Sequence, residues 1–201
     1  MTYRRGTGAP RTGSHAAVAR GRARRSRRLQ RPGGALWAIL AALFAAREAQ
    51  AQSACVVQLS VGGYSVCALL IDGTVQCWGA GSYGQLGYGN TNNIGDNELP
   101  SSVGVLSLGD TVVQVSSGYD HSCALLTGGG VRCWGNGGSG RLGYGNTLNI
   151  GDDELPSSVG TVSVGGTPAG VFVGWYHSCV LFPSGSVRCW GSGSFGRLGY
   201  G

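Results

Sequence analysis

The sequence predicts an all-β protein built from repeated antiparallel sheets, and three observations carry that reading. Residues 56–111 and 112–167 agree at 36 of 56 aligned positions without a gap, and Pro168 opens a third copy that runs to Gly201. Self-similarity at such a period describes an array of equivalent units, each burying its apolar face on the next. Within a unit, short β-branched runs are punctuated by glycine, as in strands joined by tight turns. No stretch of residues 52–201 has the apolar spacing of an amphipathic helix.

Residues 1–51 read as an export signal preceding the fold. They hold 11 Arg and one acid, Glu48, whereas residues 52–201 hold four Arg against eight acids. The Arg-rich stretch ends at Arg31, an apolar segment runs from Ala35 to Ala46, and Ala49-Gln50-Ala51 forms a small-x-small cleavage site, so the mature chain is expected to start at Gln52. The 12 apolar residues fall short of the roughly 20 that cross a bilayer, and no stable membrane span is expected. Ser26-Arg27-Arg28-Leu29 resembles a twin-arginine signal, although Gln30 stands where that pattern has an apolar or aromatic residue, so both export routes stay open. All basic residues are Arg and none is Lys, a composition that points to a bacterial source. Beyond the leader the excess charge is negative, so a surface that tracks nucleic-acid phosphates has no charge to build it.

The second unit shows the elements in order. Val112, Val113 and Val115 form a first strand that ends before Gly118, His121 to Leu126 a second, Thr127-Gly128-Gly129 a turn, and Val131 to Trp134 a third. The Gly-, Asn- and Asp-rich stretch to Asp153 is a long loop, and Pro156 and Val159 lead to a possible fourth strand at the edge.

The turn between the second and third strands fixes their register. Pro183-Ser184-Gly185 suits a type I turn with glycine in the left-handed position, and Ile71-Asp72-Gly73 fits the same frame. With Leu70 opposite Thr74, Cys67 falls opposite Cys77 on a non-hydrogen-bonded rung, where side chains approach most closely. The Cβ separation there suits a disulfide. Three bridges are predicted: Cys67 to Cys77, Cys123 to Cys133, and Cys179 to Cys189. They fit an oxidising compartment, and each is expected to contribute about 2–3 kcal/mol, mainly by restricting the unfolded chain. Cys55 precedes the first unit and has no partner in the repeat pattern. The competing reading is a His-Cys-Cys zinc set drawing on His121 and Cys123 or on His177 and Cys179, but the first unit has Ser65 at the His position and keeps both cysteines.

Gly118-Tyr119-Asp120-His121, Cys133-Trp134-Gly135 and Gly140-Arg141-Leu142-Gly143-Tyr144-Gly145, with Gly84-Gln85-Leu86-Gly87-Tyr88-Gly89 in the first unit, resemble the regulator of chromosome condensation repeat over residues 56–201. The resemblance implies a β-propeller, commonly of about seven blades of four antiparallel strands. Here repeat 1 spans 56–111, repeat 2 spans 112–167, and a truncated repeat 3 spans 168–201, an incomplete ring. A fragment of a longer protein is expected, with further repeats or self-association completing the ring. The family's founder promotes nucleotide exchange on a small GTPase and binds chromatin. That activity belongs to particular loops and does not travel with the motif. An export leader and an acidic folded part also oppose it, whereas similar repeats occur in secreted bacterial proteins.

A residue copied in every unit is expected to serve the scaffold. Trp78, Trp134 and Trp190 are read as packing between blades, and His121 and His177 as hydrogen-bonded structural residues. Gly95-Asp96-Asn97-Glu98 and Gly151-Asp152-Asp153-Glu154 offer oxygens to Ca²⁺. Ile94 breaks the ligand alternation that Asn90 and Asn92 begin, however, and Leu148 replaces Asn92, so solvated turns are expected. No catalytic, cofactor-binding or metal-binding residue is assigned. The resulting expectation is an exported, non-enzymatic scaffold that binds a protein or polysaccharide. The alternatives are a secreted hydrolase or lyase working in a propeller channel, and a guanine-nucleotide exchange factor.

Overall fold

A computed structural model describes residues 55–200, and the leader expected over residues 1–51 lies outside them. Nine strands form three separate three-stranded antiparallel sheets. The first contains β1 (Val56–Val61), β2 (Ser65–Leu70) and β3 (Val75–Gly79). The second contains β4 (Val112–Ser117), β5 (His121–Leu126) and β6 (Val131–Gly135). The third contains β7 (Gly170–Val173), β8 (His177–Leu181) and β9 (Val187–Gly191). Among the described residues no helix is long and apolar enough to cross a membrane.

The β2–β3 turn has the predicted register. Leu70 N–H donates to Thr74 O at 2.8 Å and Gly73 N–H to Leu70 O at 2.9 Å, with Gly73 at φ 79°. Only glycine takes that conformation freely, so the turn depends on it. Cys67 faces Cys77, Cys123 faces Cys133 and Cys179 faces Cys189. Each pair is bonded, across Cα separations of 4.1, 4.0 and 4.1 Å. This close approach belongs to a non-hydrogen-bonded rung. With the sulfurs bonded to each other, the zinc reading of these cysteines is overturned. Cys55 is exposed and free.

Each sheet holds three paired strands, and the position of the expected fourth is filled differently. Along the outer edge of β3, the Tyr88 hydroxyl accepts from Cys77 N–H at 3.2 Å and donates to Cys77 O at 3.3 Å. Tyr144 serves Cys133 in the same way, and Tyr200 serves Cys189. One phenol thus satisfies both backbone groups that a fourth strand would have paired. The returning chain makes a short 3₁₀ turn at Pro100–Ser102 or Pro156–Ser158, where proline lacks a ladder donor. It then gives a single bond, Leu106 N–H to Val75 O or Val162 N–H to Val131 O. Burial of Leu106, Leu108, Val162 and Val164 holds these segments down without a ladder.

The middle sheet is the core: every residue of β5 and β6 is buried, whereas β9 has none buried. Identical sequence thus has different surroundings according to place in the stack.

Candidate functional site

The repeated side chains bond one sheet to the next. Gln58 donates through Nε2 to Val115 O and accepts from Val115 N–H through Oε1, while Ser117 N–H donates to Ser60 Oγ. One unit on, Val171 N–H donates to Gln114 Oε1 and Val173 N–H to Ser116 Oγ. The third unit has Gly170 and Phe172 at these positions. A further sheet docking there would meet Gly170 and Phe172 in place of the Gln and Ser side chains. Trp134 is fully buried and its indole N–H donates to Gln85 O at 3.0 Å, which places it between blades as expected. Gly87 lies beneath that ring, where a Cβ would come within 3.0 Å of Nε1. Trp78 and Trp190 are only partly buried.

Asp120 and His121 of the second unit meet Ser178 of the third at the second interface. His121 Nε2 lies 3.0 Å from Ser178 Oγ, and Asp120 Oδ1 lies 4.0 Å from His121 Nδ1. This has the composition of a hydrolytic triad but not its bonding. Ser178 Oγ donates its one proton to Arg141 O at 2.9 Å, so His121 Nε2 must be the donor to Ser178. Nδ1 has no partner, and neither His121 nor Ser178 reaches solvent. Asp120 is instead ion-paired with Arg141 and accepts from Asn136 Nδ2 at 3.0 Å. The group ties β5 to β8 and the adjoining loop. His177 occupies the equivalent position on β8, partly exposed, with its Nδ1 also unpartnered.

Burial, with Arg141 and His177 adding to it, holds the His121 imidazole down to about 3. The folded chain therefore refuses a proton that the unfolded chain takes up below about 6.5. Stability is expected to fall as pH drops from about 6.5 toward 3, by up to about 1.4 kcal/mol per unit. Burial also lowers His177, which adds the same sign. Urea midpoints between pH 5 and 7 measure the slope. His121→Ser, which imports the first unit's residue, should reduce it.

The loops joining first and second strands form an aromatic row across all three sheets, exposed at Tyr64 and Trp175 and half-buried at Tyr119 and Tyr176. The Tyr64 and Tyr119 hydroxyls are 2.7 Å apart, with ring centroids at 4.8 Å. Tyr119 lies 5.7 Å from Trp175, tilted 36°, and 5.6 Å from Tyr176. The hydrogen bond that Tyr119 donates to Tyr64 pushes it up to about 12, so it stays a neutral phenol. Glycine makes the row possible, since a Cβ at Gly62 would sit 2.3 Å from Gly118 O, and one at Gly118 2.1 Å from Gly174 O. The loops can therefore abut. Beneath them Arg141 stacks on Tyr176 at 4.8 Å.

The acidic turns close on themselves. Glu98 Oε1 accepts from Gly95 N–H at 3.0 Å, and Asp152 Oδ2 accepts from Asn149 Nδ2 at 3.2 Å. Oxygens of Asp152, Asp153 and Glu154 lie within 4.8 Å of one another and are the described group most able to hold a cation. Burial first, then a hydrogen bond with Asp153, raises the Glu154 carboxyl.

Stacked, disulfide-stapled antiparallel sheets sharing one inter-blade contact pattern define a β-propeller repeat protein. The Regulator of chromosome condensation (RCC1) repeat matches residues 72–125, and a second description of the same repeat matches 56–85, 112–141 and 169–197. The chain belongs to this family. It is 33% identical over 149 residues to the human E3 ubiquitin-protein ligase HERC2, across 73% of this chain and 3% of that protein. It is 32% identical over 145 residues to the Arabidopsis thaliana ultraviolet-B receptor UVR8, across 72% of this chain and 31% of that protein. Yeast RCC1 (Prp20), solved bound to Kap60, superposes with a TM-score of 0.56 at 22% identity, over 73% of this chain and 34% of that one. The chain thus spans less than a third of the length of these two relatives.

Proposed function

We propose that the chain is an exported, non-enzymatic propeller scaffold whose loops on one face bind a protein or polymer. One observation carries this reading: side chains shared by the units are used between blades, while the loops that differ stand in solvent as an aromatic row. The hydrolytic alternative draws nothing from Asp120, His121 and Ser178, whose hydrogen bonds run the wrong way for a nucleophile. Ubiquitin ligation and nucleotide exchange belong to proteins of which this chain matches a part, and fold alone does not transfer them.

The three disulfides support an oxidising compartment. Cells expressing the chain are fractionated with free thiols trapped at lysis, and intact mass is read with and without reductant. The expected result is a chain outside the cytosol that has lost its leader and gains six protons on reduction. A cytosolic chain with six trapped repeat thiols would overturn the export reading.

A further inference from the structure

We propose that the row formed by Tyr64, Tyr119, Trp175 and Tyr176 is a binding platform for a neutral polysaccharide. This deepens the scaffold reading and rests on it. The row lies where the repeat breaks down. Residues 63–66 against 119–122 are the longest uninterrupted run of mismatches between two units that otherwise agree at 36 of 56 positions. The third unit differs again there, with Trp175 and Tyr176. Side chains serving only the stack would have been copied with it, as Trp78, Trp134 and Trp190 were.

Two of the rings are offered to solvent, Tyr119 and Tyr176 are half-buried between and beneath them, and all are held still. Trp175 is 68% exposed and Tyr64 56% exposed. Contiguous exposed apolar surface of this kind marks an interaction site. The loops are closed at their bases by Gly62 N–H to Ser65 O, Gly118 N–H to His121 O and Gly174 N–H to His177 O, and Gly63 N–H donates across to Gly118 O. Each loop continues into a strand carrying a disulfide, so little ordering remains to be done on binding.

The chemistry selects the ligand class. Tyr64 stands edge-on to Tyr119 at 67° and Tyr176 edge-on to Trp175 at 88°, whereas Tyr119 and Trp175, tilted by 36°, present two gently bent faces. The C–H face of a pyranose lies flat on such rings, while its hydroxyls meet the Tyr64–Tyr119 hydroxyl pair and the indole N–H at the edge. Alongside is a shallow concavity of about 330 Å³ whose lining includes Gly62, Gly118, Gly174 and Trp175. A polyanion is disfavoured, because Arg141 is committed to Asp120, which leaves Arg197 alone at the Tyr176 ring, 5.9 Å from its centroid, and acids outnumber arginines beyond the leader. A cationic ligand is disfavoured as well, since Arg141 already covers Tyr176.

The full chain is titrated with cellohexaose, chitohexaose, soluble xylan and laminarin by tryptophan fluorescence and calorimetry. At least one is expected to bind. Trp175→Ala and Tyr119→Ala should each weaken it by about tenfold or more, and Trp175→Tyr should retain most of it. Intact mass and unfolding midpoint confirm that each variant keeps its disulfides and fold. No binding by any probe, or undiminished binding by Trp175→Ala, overturns the platform. A photoreactive side chain at position 175 in expressing cells separates the two readings. Crosslinking to a polypeptide, with no glycan bound, removes the polysaccharide and leaves the scaffold. Neither crosslink nor glycan binding removes both.

Discussion

Trp134→Ala is expected to lower the stability of the chain by about 3–5 kcal/mol, the usual loss for a large buried aromatic. Its ring is fully buried between the first and second blades, and its N–H is the donor to Gln85 O. Removing it opens a cavity at the centre of the stack and leaves that carbonyl unpaired. The loss should appear as a lower urea midpoint with little change in slope. Trp134→Phe refills most of the volume but not the hydrogen bond, so it should lose only about 1–3 kcal/mol. Trp190→Ala is the informative control. Its residue is identical and so is its strand, yet the ring is only partly buried and its N–H finds no acceptor. A clearly smaller loss is expected. Equal losses at Trp134 and Trp190 would show that position in the stack does not govern what a repeated residue contributes.

This contrast explains how much could be read from the sequence. The hairpin register was legible because a three-residue turn and two cysteines ten residues apart leave one arrangement in which sulfurs meet. The stack was legible because each unit carries an apolar face it cannot bury alone. The fourth strand was not. A Gly-Tyr-Gly motif gives no sign that its phenol will bond both backbone groups of a cysteine 11 residues earlier, and that substitution removes the need for a paired strand. The zinc alternative had residue types and a shared strand face in its favour, but lost to a rung that brings sulfur onto sulfur. The aromatic row was hidden for another reason. Tyr64 and Tyr119 are 55 residues apart, and their contact exists only once blades are stacked and glycines let loops touch. Its one sequence signal was the run of mismatches after Gly62.

The same alignment shows a second exchange, and the largest polar effect should follow from it. Where the first unit has Tyr64 and Gln85, the second has Asp120 and Arg141, and the third keeps the arginine but not the acid, as Tyr176 and Arg197. In the second unit this yields a buried ion pair, with Asp120 6% and Arg141 7% exposed. Arg141→Gln leaves the carboxylate buried with only Asn136 to bond it, and a loss of about 3–5 kcal/mol is expected. Burial pushes the Asp120 carboxyl up while Arg141 pulls it back, so without Arg141 the acid protonates more readily. The deficit should therefore shrink as pH is lowered into the carboxyl range, whereas a purely steric defect would persist. Adding Asp120→Tyr imports the first unit's pair and removes the stranded charge. The double variant should recover part of the loss, with a coupling of about 1–3 kcal/mol in a double-mutant cycle of urea midpoints. Additive losses would mean that the two positions act separately. Recovery would show that Asp120 and Arg141 act as a matched pair beneath the aromatic loop, replaceable together by the first unit's Tyr and Gln while the stack around them stays fixed.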